Sequence, residues 1–355
     1  MEMRDRPDAQ SRDSVAQKPA ERADDGVEFV ASLKRMGLVD AHELPQLTEL
    51  EGGVSSRIVR ADTARGPVCV KRALPRLKVA AAWFAPVERN AAEVAWIRVA
   101  AQTAPAAVPQ ILGEDPLARA FAMHYLPPET YPVWKQQLRD GCVRTDTAAA
   151  VAATLVHIQA ATAGRADIAH RFADDTAFRA LRLSAYFAAA AETNPDCAPA
   201  LLALIETTAA TRLALVHGDV SPKNILVGPA GPVLLDAECA WYGDPAFDAA
   251  FCLTHLLLKC LWRPAHRADY LACFDTFVAS YVAGVAWEPP AALEARACRL
   301  LAGMLLARVD GKSPVEYLTD EAQRARVRTF ACGLLVDPVG RLGAIRELWA
   351  ERSAA

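Results

Sequence analysis

The sequence predicts an α+β fold, with a strand-rich first third followed by a longer, mainly helical remainder. Three observations predict it. Residues 47–71 and 121–126 hold short β-branched and aromatic runs separated by glycine and proline turns. From Thr147 onward, alanine- and leucine-rich runs of helical length take over. Between those helical runs, Leu215–Val216, Ile225–Val227 and Val233–Leu235 form short apolar segments that enclose a polar turn.

Composition limits the possibilities. A chain of 355 residues that is 53% apolar can bury a sizeable core as one large or two moderate domains. A net charge of -3 gives no electrostatic case for a nucleic-acid or membrane-surface partner. The nine cysteines are scattered, with no Cys-x-x-Cys pair, and Cys69, Cys252 and Cys298 lie inside apolar runs where a reduced thiol acts as a small hydrophobe. The polar N-terminus does not resemble a signal peptide, and no apolar run reaches membrane-spanning length. The expectation is a cytoplasmic protein.

Taken in order, residues 1–25 lack periodicity and are expected to be disordered. Val27, Val30, Ala31 and Leu33 recur at helical spacing, and Gly37 stops that helix. Leu47 to Ala61 reads as strand, turn, strand. Gly52 and Gly53 let backbone amides approach a phosphate and Ser55 and Ser56 add donors, although an adjacent glycine pair also suits a plain hairpin. The strand Val68–Cys69–Val70 ends on Lys71, which can reach nucleotide phosphates if a carboxylate fixes it. The helical run 87–101 offers Glu88 and Glu93, and Glu93 is preferred because it shares a helix face with Ile97 and Ala100.

Phe121 to Leu126 is a strand meeting the breaker Pro127–Pro128, and the family resemblance given below implies a boundary there between regions 26–126 and 127–355. His124 and His157 are expected to be packing residues. Helices are expected over 147–162, 178–192, 198–210, 247–261 and 270–285, and Asp248 reads as a dipole-facing carboxylate at a helix start. Residues 308–314 form a charged, glycine-containing turn that can contact substrate, although a solvated loop is the commoner explanation of such a turn.

The polar turn carries the chemistry. Asp219, Asn224 five positions on, and Asp236 after a further turn supply what phosphoryl transfer needs. One carboxylate orients a hydroxyl nucleophile, and an amide oxygen and a second carboxylate hold Mg2+. Any of these alone is as well explained by a capped turn.

Together, His217–Gly218–Asp219 with Asn224, Leu235–Asp236–Ala237–Glu238, and Trp241 to Asp248 resemble the aminoglycoside phosphotransferase and choline kinase superfamily. The Asp-x-Glu form is most similar to the methylthioribose kinase branch, although that branch lacks an asparagine where Asn224 stands. The resemblance implies a two-lobed protein-kinase-like fold with a small β-rich lobe and a larger helical one. It implies ATP and Mg2+ as cofactors and a small-molecule hydroxyl acceptor: a sugar, an amino alcohol, a nucleoside-like compound or an antibiotic.

It further implies Asp219 as catalytic residue, Lys71 with Glu93 on the nucleotide, and the backbone of His124, Tyr125 and Leu126 at the adenine edge. Asn224, Asp236 and Glu238 become the metal ligands, and Asp248 a brace for the catalytic loop. Ser221 departs from the pattern, since relatives carry a phosphate-steadying histidine or lysine there. No Ala-Pro-Glu element follows Asp236, so protein acceptors are disfavoured. The competing expectation is a nucleotide-binding protein that keeps the fold without catalysis.

Overall fold

Residues 19–50, 55–74 and 88–353 are described by a computed structural model. The first element, α1 (Pro19–Arg35), begins inside the stretch expected to be disordered. Proline is well placed in a first helical turn, and the Ala-Glu-Arg-Ala sequence behind it is made of strong helix formers.

A five-stranded antiparallel sheet follows, made of β1 (Gln46–Glu49), β2 (Ser56–Thr63), β3 (Gly66–Ala73), β4 (Ile111–Asp115) and β5 (Ala120–His124), in the order β1-β2-β3-β5-β4. Between β3 and β4 runs α2 (Arg89–Ala101).

The two-residue period of β3 decides what this sheet does. Val68 and Val70 face a small core with Phe29 and Leu33 of α1 and with Val59, Ala61, Ala120 and Ala122. Cys69 and Lys71 face the other way, where Cys69 joins Phe121, Met123 and the α2 residues Val94 and Ile97 in the main core. A lysine at an odd position of this strand is therefore driven toward α2.

Beyond His124 the chain is mainly helical: α3 (Trp134–Arg139), α4 (Thr145–Thr162) and α5 (Ala166–Arg171) come first. The helix expected over 178–192 is instead α6 (Thr176–Phe178), a π-helical segment Arg179–Ala188, and α7 (Ala189–Thr193). Next come α8 (Ala198–Ala210), β6 (Ala214–Val216), β7 (Ile225–Gly228), β8 (Gly231–Leu234) and β9 (Trp241–Gly243). Strand β6 pairs with β9 and β7 with β8, both antiparallel.

The remainder is α9 (Ala246–Trp262), α10 (Arg267–Ala283), α11 (Pro290–Asp310), α12 (Glu321–Val336) and α13 (Leu342–Arg352). Nearly every side chain of α9 is buried, so it is the axis on which the helical region packs. Among the described residues, no helix is long and apolar enough to cross a membrane.

Three further expectations change. His157 is exposed, with Nε2 3.2 Å from the Thr103 carbonyl, because its position on α4 turns away from the core. His124 is likewise exposed at the end of β5. Cys197 and Cys332, separated by 135 residues, form a disulfide with a Cα–Cα distance of 5.8 Å, so the cysteines are not all isolated thiols.

Because Leu33 is fully buried against the outer sheet face, Leu33→Ala is expected to cost about 2–5 kcal/mol. Urea unfolding of wild type and variant checks this. A cost below about 0.5 kcal/mol would mean that α1 does not cover the sheet in solution.

Candidate active site

Lys71 stands in the middle of β3, in register with Ile58 on one side and Phe121 on the other. Its ammonium is buried, lies 2.6 Å from Glu93 Oε2 of α2, and also contacts Asp236 Oδ1 from the opposite side. Burial alone would drive the proton off. The attraction of Asp236 and Glu93 outweighs it and holds the Lys71 pKa above its ordinary value. One ammonium thus serves two carboxylates. Burial pushes Glu93 up, to about 7, while Lys71 and Lys223 keep Asp236 below the usual range against its own burial.

Arg89, at the start of α2, ties the neighbouring loops together. Its Nη2 donates to the carbonyls of Ser55 (2.5 Å) and Leu74 (2.6 Å), and its Nε to Glu238 Oε2 (3.0 Å). Ser55 and Ser56 are buried at the start of β2. Gly52 and Gly53 lie outside the described residues.

The loop that carries Asp219 leaves β6 at Val216 and is held by Asp248, in the first turn of α9. Asp248 Oδ2 accepts the His217 amide and Oδ1 the Gly218 amide, each at 2.8 Å, and Gln159 Nε2 donates to Oδ2 at 3.1 Å. Gln159 is itself fixed by the Tyr281 hydroxyl at 2.5 Å. Burial pushes Asp248 up to about 7 in spite of these bonds. Gly218 sits at φ +81°, and a Cβ there would come within 2.8 Å of the Cys239 carbonyl oxygen, so only glycine fits.

Asp219 follows, buried, with its carboxylate 3.1 Å from Arg182 Nη2 and 3.3 Å from Lys223 Nζ. Arg182 Nε also donates to the Gly218 carbonyl at 2.5 Å. Burial disfavours the Asp219 charge, but Lys223 and Arg182 overcome it and hold its pKa well below the usual carboxylate range. His217 Nδ1 accepts the Asp219 amide at 3.2 Å, which requires a neutral ring, and burial pushes the His217 pKa down to about 4.

Asn224 and Asp236 meet at the open end of the β7–β8 hairpin. The Leu235 amide donates to the Asn224 carbonyl at 2.9 Å, which sets Asp236 beside it. Asn224 Nδ2 donates to the Asp219 carbonyl at 3.1 Å, leaving the amide oxygen available. Asp236 itself has φ +68°, an unusual backbone for a non-glycine residue, of the kind that collects at functional sites.

A Mg2+ ion fits this pair, because it takes one or two protein oxygens and completes its shell with phosphates and water. Among the described residues, no group of three His, Cys, Asp or Glu side chains could hold a metal alone. Glu238, the third expected ligand, has its Oε2 taken by Arg89 Nε at 3.0 Å. The expected adenine edge also narrows. The His124 amide donates to the Gln110 carbonyl at 2.8 Å, so it is already used. Among the described residues, the Tyr125 and Leu126 amides make no backbone bond.

Asp219, Asn224, Asp236, Lys71 and Glu93 therefore converge, and Asp248 braces the loop as expected. Sequence reasoning missed Arg182 and Arg89, and it put Arg308 in a charged turn where the structure buries it near the end of α11. Each is a buried arginine in a helix that otherwise reads as alanine- and leucine-rich scaffolding or solvated surface. Lys223, four residues after Asp219, was visible inside the motif and supplies a cation near the one that Ser221 lacks.

The phosphotransferase enzyme family model matches residues 46–276. The chain belongs to the phosphotransferase enzyme family. This is the superfamily to which the Asp219 motif pointed, a family of small-molecule phosphotransferases. No curated protein matches.

Among solved structures, an amicoumacin kinase in complex with AMP-PNP, Ca2+ and Ami has a TM-score of 0.58 at 13% identity, covering 92% of this chain and 99% of that one. A choline/ethanolamine kinase family protein from Mesorhizobium loti scores 0.53 at 16% identity, covering 92% and 99%. An ethanolamine kinase from Plasmodium vivax scores 0.53 at 11% identity, covering 83% and 84%. At these identities the likeness establishes the fold shared with the family, a small antiparallel sheet region and a larger helical region.

The neutral His217 makes a testable contribution. Its folded pKa lies below the unfolded value, so between pH 6.5 and 4 the unfolded chain binds more protons and stability falls as pH falls. Asp248, raised to about 7, acts with the opposite sign in both proteins compared. The stability difference between wild type and His217→Gln is expected to shrink by roughly 2–3 kcal/mol from pH 7 to pH 4. Denaturant titrations at both pH values measure it, and a constant difference would contradict the neutral, buried ring.

Proposed function

We propose that this protein transfers the γ-phosphoryl group of ATP to a hydroxyl group of a small molecule. The observation that carries the reading is the convergence of Asp219, Asn224 and Asp236 on the Lys71–Glu93 pair. Residues 26–126 form the nucleotide-binding lobe and 127–355 the catalytic, acceptor-binding lobe. Lys71, steadied by Glu93, engages the α- and β-phosphates, and the Tyr125 and Leu126 backbone meets the adenine. Asn224 and Asp236 hold Mg2+, which when bound neutralises charge on the phosphates.

Asp219 accepts a hydrogen bond from the acceptor hydroxyl and aligns its oxygen with the γ-phosphorus. The new O–P bond forms as the bond to the β–γ bridging oxygen breaks, ADP leaves, and the hydroxyl proton passes to Asp219. A carboxylate held this far below its ordinary pKa is a poor base in the ground state, so its first task is orientation. Proton transfer comes late, as suits a loose transition state. Lys223 and Arg182 flank that carboxylate and face charge developing on the transferred group. ATP as donor also accords with a cytoplasmic site of action.

Asp219→Asn is expected to lower kcat about 10²–10⁴-fold while leaving ATP affinity within about threefold. Coupled ADP-release assays on a metabolite pool, with calorimetric ATP binding, read both quantities, and near-normal turnover would remove Asp219 from the mechanism. Lys223→Met is expected to lower kcat about 10²-fold with little change in KM for ATP. A change confined to KM would make Lys223 a binding residue only.

A further inference from the structure

The helical region gathers Arg182, Arg308, His255 and Lys259 around a shared set of aromatic rings. Phe251, His255 and Lys259 recur every four residues and share one face of α9. Arg182, which holds Asp219, packs over the rings of Tyr186 (5.6 Å) and Phe251 (5.8 Å). Arg308, near the end of α11, packs over the same Tyr186 ring at 5.4 Å, and its Nη1 donates to the Tyr186 hydroxyl at 3.0 Å. His255 Nδ1 lies 3.2 Å from the Tyr317 hydroxyl, and Lys259 Nζ sits 4.7 Å from the Tyr317 ring and 4.6 Å from that of Trp262.

These groups are short of counter-charges: Arg308 Nη1 donates to the Tyr186 hydroxyl and to the Ser313 carbonyl and hydroxyl, all of them neutral. Lys259 is 0% exposed and its Nζ has no hydrogen-bond partner. The same holds for His255 Nε2 and Arg308 Nε, each buried. Among the described residues, no carboxylate forms an ion pair with Arg308 or Lys259. Glu316 on the neighbouring turn is taken by Lys135, and Asp219 by Arg182 and Lys223. Ser221 Oγ, buried beside Asp219, also lacks a partner.

Arginine cannot shed its proton, so the Arg308 charge is buried among neutral oxygens at a cost that an anion would relieve. Burial and Lys135 push Lys259 down to about 7 against the attraction of Glu316, and an anion beside it would restore its charge.

We infer that the acceptor bears an anionic group, a carboxylate or a phosphate, which Arg308, His255 and Lys259 bind while Asp219 addresses its hydroxyl. This deepens the phosphotransferase reading and rests on it. Guanidinium and ammonium groups on aromatic platforms suit an oxyanion and repel a polycation. A fixed separation between Asp219 and the cations selects which hydroxyl of the acceptor is phosphorylated.

Two matched ligand series test this by calorimetry on the full chain loaded with magnesium and AMP-PNP. The first is glycerol, glycerate, glycerol 3-phosphate and 3-amino-1,2-propanediol, and the second is glucose, gluconate, glucose 6-phosphate and glucosamine. On at least one skeleton, the carboxylate or phosphate member is expected to bind at least tenfold more tightly than the neutral and amine members, and whichever anion wins identifies the group. Arg308→Gln and Lys259→Met are each expected to cut that preference at least fivefold with AMP-PNP affinity unchanged, and Arg308→Lys to restore part of it. Neutral or amine members binding as well as the anions, no anion binding at all, or a preference that survives both substitutions would overturn the inference while the phosphotransferase reading stands. Failure of AMP-PNP to bind would defeat that reading, and this one with it.

Discussion

A buried ammonium needs counter-charges, and Lys71 takes its own from two distant parts of the chain. Glu93 comes from α2 and Asp236 from the loop after β8. Because the three groups are held by β3, a helix and the helical region, this ion cluster fixes how the sheet faces the loop that carries the chemistry. Breaking one partner of such a cluster leaves a charge in low dielectric at a cost of about 3–5 kcal/mol. Arg89 repeats the device a short way off, joining Ser55, Leu74 and Glu238. The sheet and the helical region are thus joined at the site by charge rather than by apolar contact alone.

The loop itself depends on a second buried carboxylate. Asp248 has its oxygens filled by two successive backbone amides and Gln159, so His217 and Gly218 can take only one conformation. Asp219 inherits its direction from that brace and its ionisation from Arg182 and Lys223. Positioning and charge are therefore separate inputs supplied by separate residues.

Much of this was legible in the chain. Lys71 stood out as the charge closing the run Val68–Cys69–Val70, the 3-4 spacing of α2 picked Glu93 over Glu88, and the spacing of Asp219, Asn224 and Asp236 marked the turns beside β6, β7 and β8. The buried arginines were not legible. Arg182 occupies a helical run whose other residues give no sign that a charge turns inward, its π-helical register has no signature in composition, and Arg308 read as part of a charged turn although it closes α11. A nearly balanced overall charge also concealed a local cation cluster, because net charge is a sum and the field at Asp219 is set by what lies within a few ångströms. The link between Glu238 and Arg89 was equally hidden, because the two lie 149 residues apart.

The central claim is that Lys71, Glu93 and Asp236 form one nucleotide and metal site. Calorimetric titration of ATP into wild type and Asp236→Ala, each with and without Mg2+, tests it most directly. Wild type is predicted to bind ATP at least tenfold more tightly with Mg2+ than without, and Asp236→Ala to lose that dependence. Binding that is indifferent to Mg2+ in wild type, or a magnesium dependence that persists in Asp236→Ala, would contradict it.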